Sequence, residues 1–409
     1  MQLNHNNDMN RTNNSTINPW TAALLTAGII SAGSVALAEE TAANPVMTAL
    51  QSTTISGYVD TSAIWLTGSQ AKPGPRMPGR TFDGAEKQNN FNLDVVSLTL
   101  QKDLDETTSW AAGYNVTLLF GPDANTLNTL SYPASWSTSS SDFAIKNAYV
   151  ELKVPVGNGL RAKVGVWDTV IGYEVFEAGN NPNFSRSYGY YLEPIVHTGV
   201  LLSYDINSIL SVNGGIADNG VGINNINQPA GPAASGVSRG VFTYLGSVTL
   251  TAPESAGFLK GAQLTGGIVD TGVYQSQNQL NYYVGLSMPL PVDNLSLGVA
   301  YDYLGGDDSG WANALAGYLV YRATEKLTLA GRVEWANGSP GTYGTGRTKD
   351  EDEFIGVTGT VDYRLWANVI TRLEVRWDQD LADGPPAFGG AKNPAENVVS
   401  LALNVIYNF

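Results

Sequence analysis

The chain has 409 residues, a formal net charge of −15, only 14% charged residues and no cysteine. The absence of cysteine excludes disulfides and thiolate metal centres, and the acidic balance excludes a nucleic-acid partner, which needs a basic face. The charged fraction is low beside the roughly one quarter usual in soluble domains, while aromatic residues reach 10% and glycine 45 residues.

The first element is a leader. Arg11 precedes an apolar run, "WTAALLTAGIISAGSVALA", that closes on Ala36-Leu37-Ala38. A basic n-region, an apolar h-region and a small-residue cleavage site predict a secretory signal peptide over residues 1–38, cut before Glu39. An uncleaved N-terminal anchor is the alternative, but no basic stop-transfer flank follows. Removing 38 of 409 residues leaves 371, with no apolar stretch long enough for a spanning helix.

From there the chain alternates. Strands are expected near 54–66, 91–102, 108–120, 143–154, 159–170, 196–206, 209–218 and 239–252. They continue near 260–272, 278–289, 294–305, 312–322, 326–336, 354–365, 369–378 and 397–409. In "NVITRLEVRWDQD", Val369, Leu373, Val375 and Trp377 share one face, against Arg372, Glu374, Arg376 and Asp378. A period of two marks a strand with one greasy face. Runs of 10–12 residues exceed the usual soluble strand and match a tilted bilayer crossing. In "FNLDVVSLTL" the parity changes at Val95-Val96, which predicts a bulge.

Every second connection is short ("DLDET", "PVGN", "DINS", "LWAN"), whereas most of the others are long and rich in Gly, Pro and Ser. Short turns at one end and long loops at the other are the habit of outer-membrane barrels. The sequence therefore predicts one domain over residues 39–409: an all-β, transmembrane, antiparallel up-and-down β-barrel of sixteen strands, plus or minus two. The last strand, "VVSLALNVIYNF", should pair with the first and leave no edge. Tyr407 and Phe409 then stand at the periplasmic interface.

Two segments, "AYVELKVPVGNGLRAKVGVWDTVIGYEVFEAGNN" and "NFSRSYGYYLEPIVHTGVLLSY", resemble the OmpL-like β-barrel porins of bacterial outer membranes. The matching pieces are the G-N-G-L hairpin (Gly157 to Leu160), I-G-Y-E-V (Ile171 to Val175), N-x-S-R-S-Y (Asn183 to Tyr188) and H-T-G-V (His197 to Val200). "FNLDVVSLTLQK" adds a weaker match. Asp168 departs from the family, which often has a basic residue before the aromatic, so no charge pattern is carried over there. The resemblance implies a porin-type channel and names no solute. The terminal Phe409 is similar to the signal read by the outer-membrane assembly machinery.

Catalysis has little to stand on. His197 is the one histidine after the leader, with no serine beside it on its face. Glu174 and Glu177 could be a glycosidase pair, yet beside Arg186 and four tyrosines they fit a pore constriction better. Asp307 and Asp308, and Asp350 to Glu353, lack EF-hand spacing; they read as solvated loops, with divalent bridging to lipopolysaccharide as the alternative. No cofactor, metal or enzymatic activity is expected.

The inward face carries the functional signal. Arg332, Glu334, Asp362, Arg364, Arg372, Glu374 and Arg376 come from three consecutive strands. Such charges are tolerable in a water-filled lumen or if each is paired. The first option predicts a diffusion channel for small hydrophilic solutes and ions, with at most a mild cation preference. The second predicts a plugged, non-conducting surface barrel: an adhesin, receptor or envelope scaffold. The connection 171–195 is expected to fold inward as a constriction. Tyr173, Glu174, Glu177, Arg186 and Tyr188 would lie on it, facing Arg332, Arg364, Arg372 and Arg376 across the pore. Sixteen strands also suggest a homotrimer, by fold analogy alone.

Overall fold

Alternation becomes geometry in the computed structural model, which describes residues 52–67, 76–127, 142–218, 242–271, 279–306, 310–390 and 393–409. The leader lies outside the described residues. The strands are β1 (Thr54–Leu66), β2 (Asn90–Lys102), β3 (Ala111–Phe120), β4 (Phe143–Val154), β5 (Leu160–Asp168) and β6 (Val196–Asp205). Next come β7 (Leu210–Asp218), β8 (Phe242–Thr251), β9 (Gln263–Asp270), β10 (Leu280–Pro289), β11 (Leu295–Gly305) and β12 (Ala312–Arg322). The remainder are β13 (Leu327–Gly338), β14 (Asp352–Trp366), β15 (Val369–Asp380), a small hairpin of β16 (Phe388–Gly390) and β17 (Asn393–Ala395), and β18 (Asn397–Asn408).

Sixteen of these form a closed antiparallel barrel in which each strand pairs with its sequence neighbour and β18 closes on β1. Tyr58 faces Asn408 and Ala63 faces Leu403, so the C-terminal strand has a partner on both sides, the other being β15. Closure leaves no strand of the barrel with an unpaired edge, a requirement for crossing lipid. Phe409 adds two backbone bonds to Gly57, of 2.9 and 3.0 Å. Its ring lies where a side chain at position 57 would stand, so glycine there admits it.

The outward face is greasy: Val200, Leu202, Val248, Leu264, Val284, Leu319, Val333, Val375 and Leu403 are all exposed. Exposed aromatics gather at both ends. Tyr321, Tyr363, Trp366, Tyr407 and Phe409 stand at the short-turn end, and Phe120, Phe143, Phe242, Tyr244, Tyr282 and Trp335 at the long-loop end. Two girdles about an apolar band are what a bilayer requires of a barrel.

The expected strands agree with the observed ones to within a few residues at each end. The largest differences among the described residues are three-residue later starts of β3 and β9, while the expected strand residues 239–241, 272 and 278 lie outside the described residues. The bulge falls one residue before the expected place. Asp60 pairs with Val95 and Thr61 with Leu93, so Asp94 is the extra residue.

Candidate functional site: a loop docked inside the barrel

The connection between β5 and β6, residues 169–195, leaves the rim and turns into the lumen. It is shaped by its own polar groups first. Asn181 donates from Nδ2 to the Val175 carbonyl (2.7 Å) and accepts from the Val175 amide (2.8 Å), tying the loop across itself. Arg186 folds back onto the same segment, donating to the carbonyls of Val175 (3.0 Å), Phe176 (2.5 Å) and Phe184 (2.6 Å). Ser187 then caps the short helix α1 (Tyr188–Leu192), its hydroxyl accepting from the Tyr190 amide at 3.2 Å.

The inward face of β12 to β15 receives this preshaped segment. Arg332 donates to Glu174 (2.9 Å), Glu334 (2.9 Å) and the Ser185 carbonyl (2.6 Å). Glu374 accepts the amides of Phe184 (2.6 Å) and Ser185 (2.9 Å) and the Thr360 hydroxyl (2.7 Å). Glu334 accepts the Tyr188 amide (2.7 Å), and Asp378 accepts the Tyr188 hydroxyl (2.9 Å). Arg376 donates to the Arg186 carbonyl (2.6 Å) and pairs with Asp378 (2.9 Å). Arg372 holds the carbonyls of Ala178 (2.5 Å) and Asn181 (3.1 Å) while paired to Asp362 (2.7 Å). Tyr173 stacks on Tyr318 of β12 with ring centroids 4.3 Å apart. On the other side of the lumen, Glu177 reaches Lys146 of β4 at 3.0 Å, and Lys146 also holds Asp168 at 2.6 Å.

Other long-loop-end segments join the docked loop. From the β1–β2 connection, Arg80 pairs with Asp378 (2.5 Å) and Asp83, and Phe82 meets Phe176 edge-on at 5.2 Å. Lys87 of the same connection pairs with Asp94 (2.7 Å) and with Asp123. Burial would lower the lysine's pKa, but the two carboxylates outweigh it and raise it. From the β13–β14 connection, Tyr343 meets Tyr188 edge-on at 5.8 Å, and its amide donates to Asp352 at 3.0 Å. Sequence reasoning missed these contributions. "RTFDG" is an unremarkable loop string, and only its aromatic Phe82 hints at an inward course.

These placements correct the expected constriction. Glu174, Arg186 and Tyr188 do sit on an inward loop, and it does meet Arg332, Arg372 and Arg376. They meet in direct contact, however, rather than across open water. Arg332, Glu334, Arg372, Glu374 and Arg376 are each at most 3% exposed, and Arg186 is 2% exposed. The reason is stoichiometric: the loop brings carbonyls to the arginines, and amides and a hydroxyl to the carboxylates, so every charge finds a partner without water. Arg364 takes no part. It is exposed near the short-turn end of β14, beside an irregularity in the pairing with β15. Asp362, half-buried, serves Arg372. Tyr173 and Glu177 are half-buried at the loop's edge. His197 is buried at the start of β6, bonded through Nε2 to Thr169 Oγ1 (3.0 Å) and packed on Trp167. Asp352, from the acidic string at 350–353, is a loop anchor, and Asp307 and Asp308 lie outside the described residues.

One contact lacks a cation. Glu193, at the end of the loop, is buried beside the buried carboxyl of Asp302 on β11. Burial, and then Asp302, push its carboxyl well above the ordinary 4.5. Two carboxyls in contact must share a proton.

Over residues 52–409 the sequence matches the family described as "Putative beta-barrel porin-2, OmpL-like". No curated protein sequence matches it. Among solved structures, the fold is similar to OprB of Pseudomonas putida (TM-score 0.57, 12% identity, 89% of this chain and 96% of that one). It is also similar to the outer-membrane channel DcaP of Acinetobacter baumannii (0.55, 9%, 87% and 97%). A third likeness is to an anion-selective porin from Comamonas acidovorans (0.53, 14%, 88% and 99%). At these identities the likeness is one of fold.

Proposed function

The chain belongs to the OmpL-like family of β-barrel porins, outer-membrane channels for solutes, and on that premise we propose that small hydrophilic solutes and ions diffuse through a passage narrowed by the docked 169–195 connection. One observation carries this reading. The connection spans the lumen, bonded to Lys146 on β4 at one side and to Arg332, Glu374 and Arg376 on β13 and β15 at the other. A segment that merely sealed a rim has no reason to cross the interior. In this reading Tyr173 and Glu177 border the water, while Glu174, Arg186 and Tyr188 hold the segment's shape.

The short turns and the C-terminus face the periplasm, and Phe409 with Tyr407 presents the assembly signal to the insertion machinery. The acidic long loops face outward, toward lipopolysaccharide. Three copies assemble as a homotrimer, which crosslinking in native membranes tests.

Single-channel recording of the refolded barrel, with and without residues 176–190, tests the channel. The expected result is a conducting wild type and a several-fold larger conductance after the deletion. Equal conductance would place the passage elsewhere. Silence from both proteins would make the barrel a surface scaffold.

A further inference from the structure

The lumen is divided by chemistry. Six charged side chains of β13 and β15 (Arg332, Glu334, Arg372, Glu374, Arg376 and Asp378) are sealed beneath the docked loop. The wall from β6 to β10 is different. Its outward positions are exposed and apolar (Val200, Ile216, Val248, Ile268, Val284), which fixes the inward parity. Between His197 at the long-loop end and Asp205 at the other, its inward positions hold no acid or base among the described residues.

What they hold instead is a ladder of hydroxyls and amides. Ser203 faces Asn213, which faces Ser247; one row nearer the short turns, Ser211 faces Thr249, which faces Thr265. Asn213 donates to Ser247 at 3.0 Å, and the hydroxyls of Thr249 and Thr265 stand 3.0 Å apart. Ser247 is covered where Ile171 of the docked loop approaches Gly267, but Ser203, Ser211, Asn213, Thr249 and Thr265 are half-exposed. Beyond β4 and β5, β2 and β3 repeat the pattern. The hydroxyls of Thr99 and Thr117 are 3.0 Å apart, and Asn115 donates to Gln101 at 3.1 Å. The basic strip between the two walls is compensated in part. Lys153 and Arg161 reach Glu106 at 2.6 and 3.2 Å, and the Lys163 ammonium lies 4.6 Å from the Tyr149 ring centre.

From this segregation we infer that the β6–β9 wall is the solute-facing surface and that it takes neutral polyhydroxylated solutes, sugars and polyols, in preference to ions. The inference deepens the channel reading and rests on it. Each Ser or Thr hydroxyl donates one bond and accepts others, so it exchanges partners with a solute hydroxyl as readily as with water. An ion gains nothing comparable. It sheds part of its hydration in a narrow passage, and the charges of β13 and β15 that would offset that loss are already paired beneath the loop. The acidic net charge of the chain therefore does not set the selectivity.

The test uses the mature barrel in liposomes, with osmotic swelling driven by arabinose or sorbitol, and by gluconate or glucosamine of similar size. Swelling in the neutral solutes should be several-fold faster than in either charged one. The double variant Thr249→Asp, Thr265→Asp should slow gluconate further and shift the reversal potential toward cations, whereas Val248→Asp on the lipid side, if it inserts, should shift neither. Charged solutes entering as fast as neutral ones, or a double variant with unaltered selectivity, overturns the inference and leaves the channel standing. No swelling in any solute, from protein whose gel mobility shows a folded barrel, overturns the channel reading itself.

Discussion

Replacing Glu374 by alanine should release the docked loop while leaving the barrel intact. The carboxylate accepts two loop amides, those of Phe184 and Ser185, at 2.6 and 2.9 Å, and both residues are buried. Without it, each amide is left without an acceptor, at a cost of about 1–3 kcal/mol apiece. Relief of the carboxylate's own desolvation offsets part of that, so the docked state loses about 2–4 kcal/mol. At roughly 1.4 kcal/mol per decade, the undocked population grows by about one and a half to three powers of ten. The β14–β15 ladder does not depend on this side chain, because Glu374 pairs with Thr360 through the backbone. Trypsin reports the result directly. Arg186 is buried, and its guanidinium is held by three loop carbonyls. Cleavage after Arg186 in reconstituted protein should be negligible in the wild type and rapid in Glu374→Ala, with a larger conductance and a little-changed melting temperature. Glu374→Gln should fall between, since one amide oxygen can serve only part of the pair. Equal protease resistance and equal conductance in all three proteins would refute the claim that this carboxylate holds the loop.

Arg332→Met leaves Glu174 buried without its cation and Glu334 with only Arg376, at 3.3 Å, and should cost about 3–5 kcal/mol; heat-modifiability on gels and loop proteolysis measure it. The Glu193–Asp302 contact predicts a pH dependence. A carboxyl with a raised pKa in the docked state contributes fully below its ordinary 4.5, and that contribution is lost as pH rises through the raised value. Conductance should therefore rise with pH, and Glu193→Gln, which needs no proton to donate, should flatten the curve; an unchanged curve refutes the assignment. Deleting Phe409, which is 54% exposed, should reduce the amount of inserted barrel much more than the melting temperature of what inserts, as measured by membrane fractionation. Mass spectrometry of the inserted protein should find an N-terminus at or within a few residues of Glu39.

The sequence by itself was enough for the barrel. Alternation is a local property, and turn lengths read directly along the chain. About sixteen strands and the bulge near Val95 therefore follow from neighbours in sequence, and the pairing of β18 with β1 follows from the need to leave no open edge. The inward course of 171–195 was legible too, because six aromatic rings have no use in a loop surrounded by water.

The fate of the charges was not legible. Whether Arg332 meets water or Glu174 depends on a segment 158 residues away, and Glu374 is satisfied by amides 189 and 190 residues away. The same periodicity suits an open ladder and a sealed one, since both alternate charge with Val, Leu and Trp. Nothing local says that Arg186 spends its guanidinium on its own loop's carbonyls, or that Arg80 comes from another loop to reach Asp378. Arg364 shares the alternation of its neighbours yet lies near the end of its strand, out of the loop's reach. Strands place side chains on a face by parity alone. Only the folded loops decide which of those side chains remain in contact with the water in the lumen, because desolvation and pairing are settled where distant segments touch.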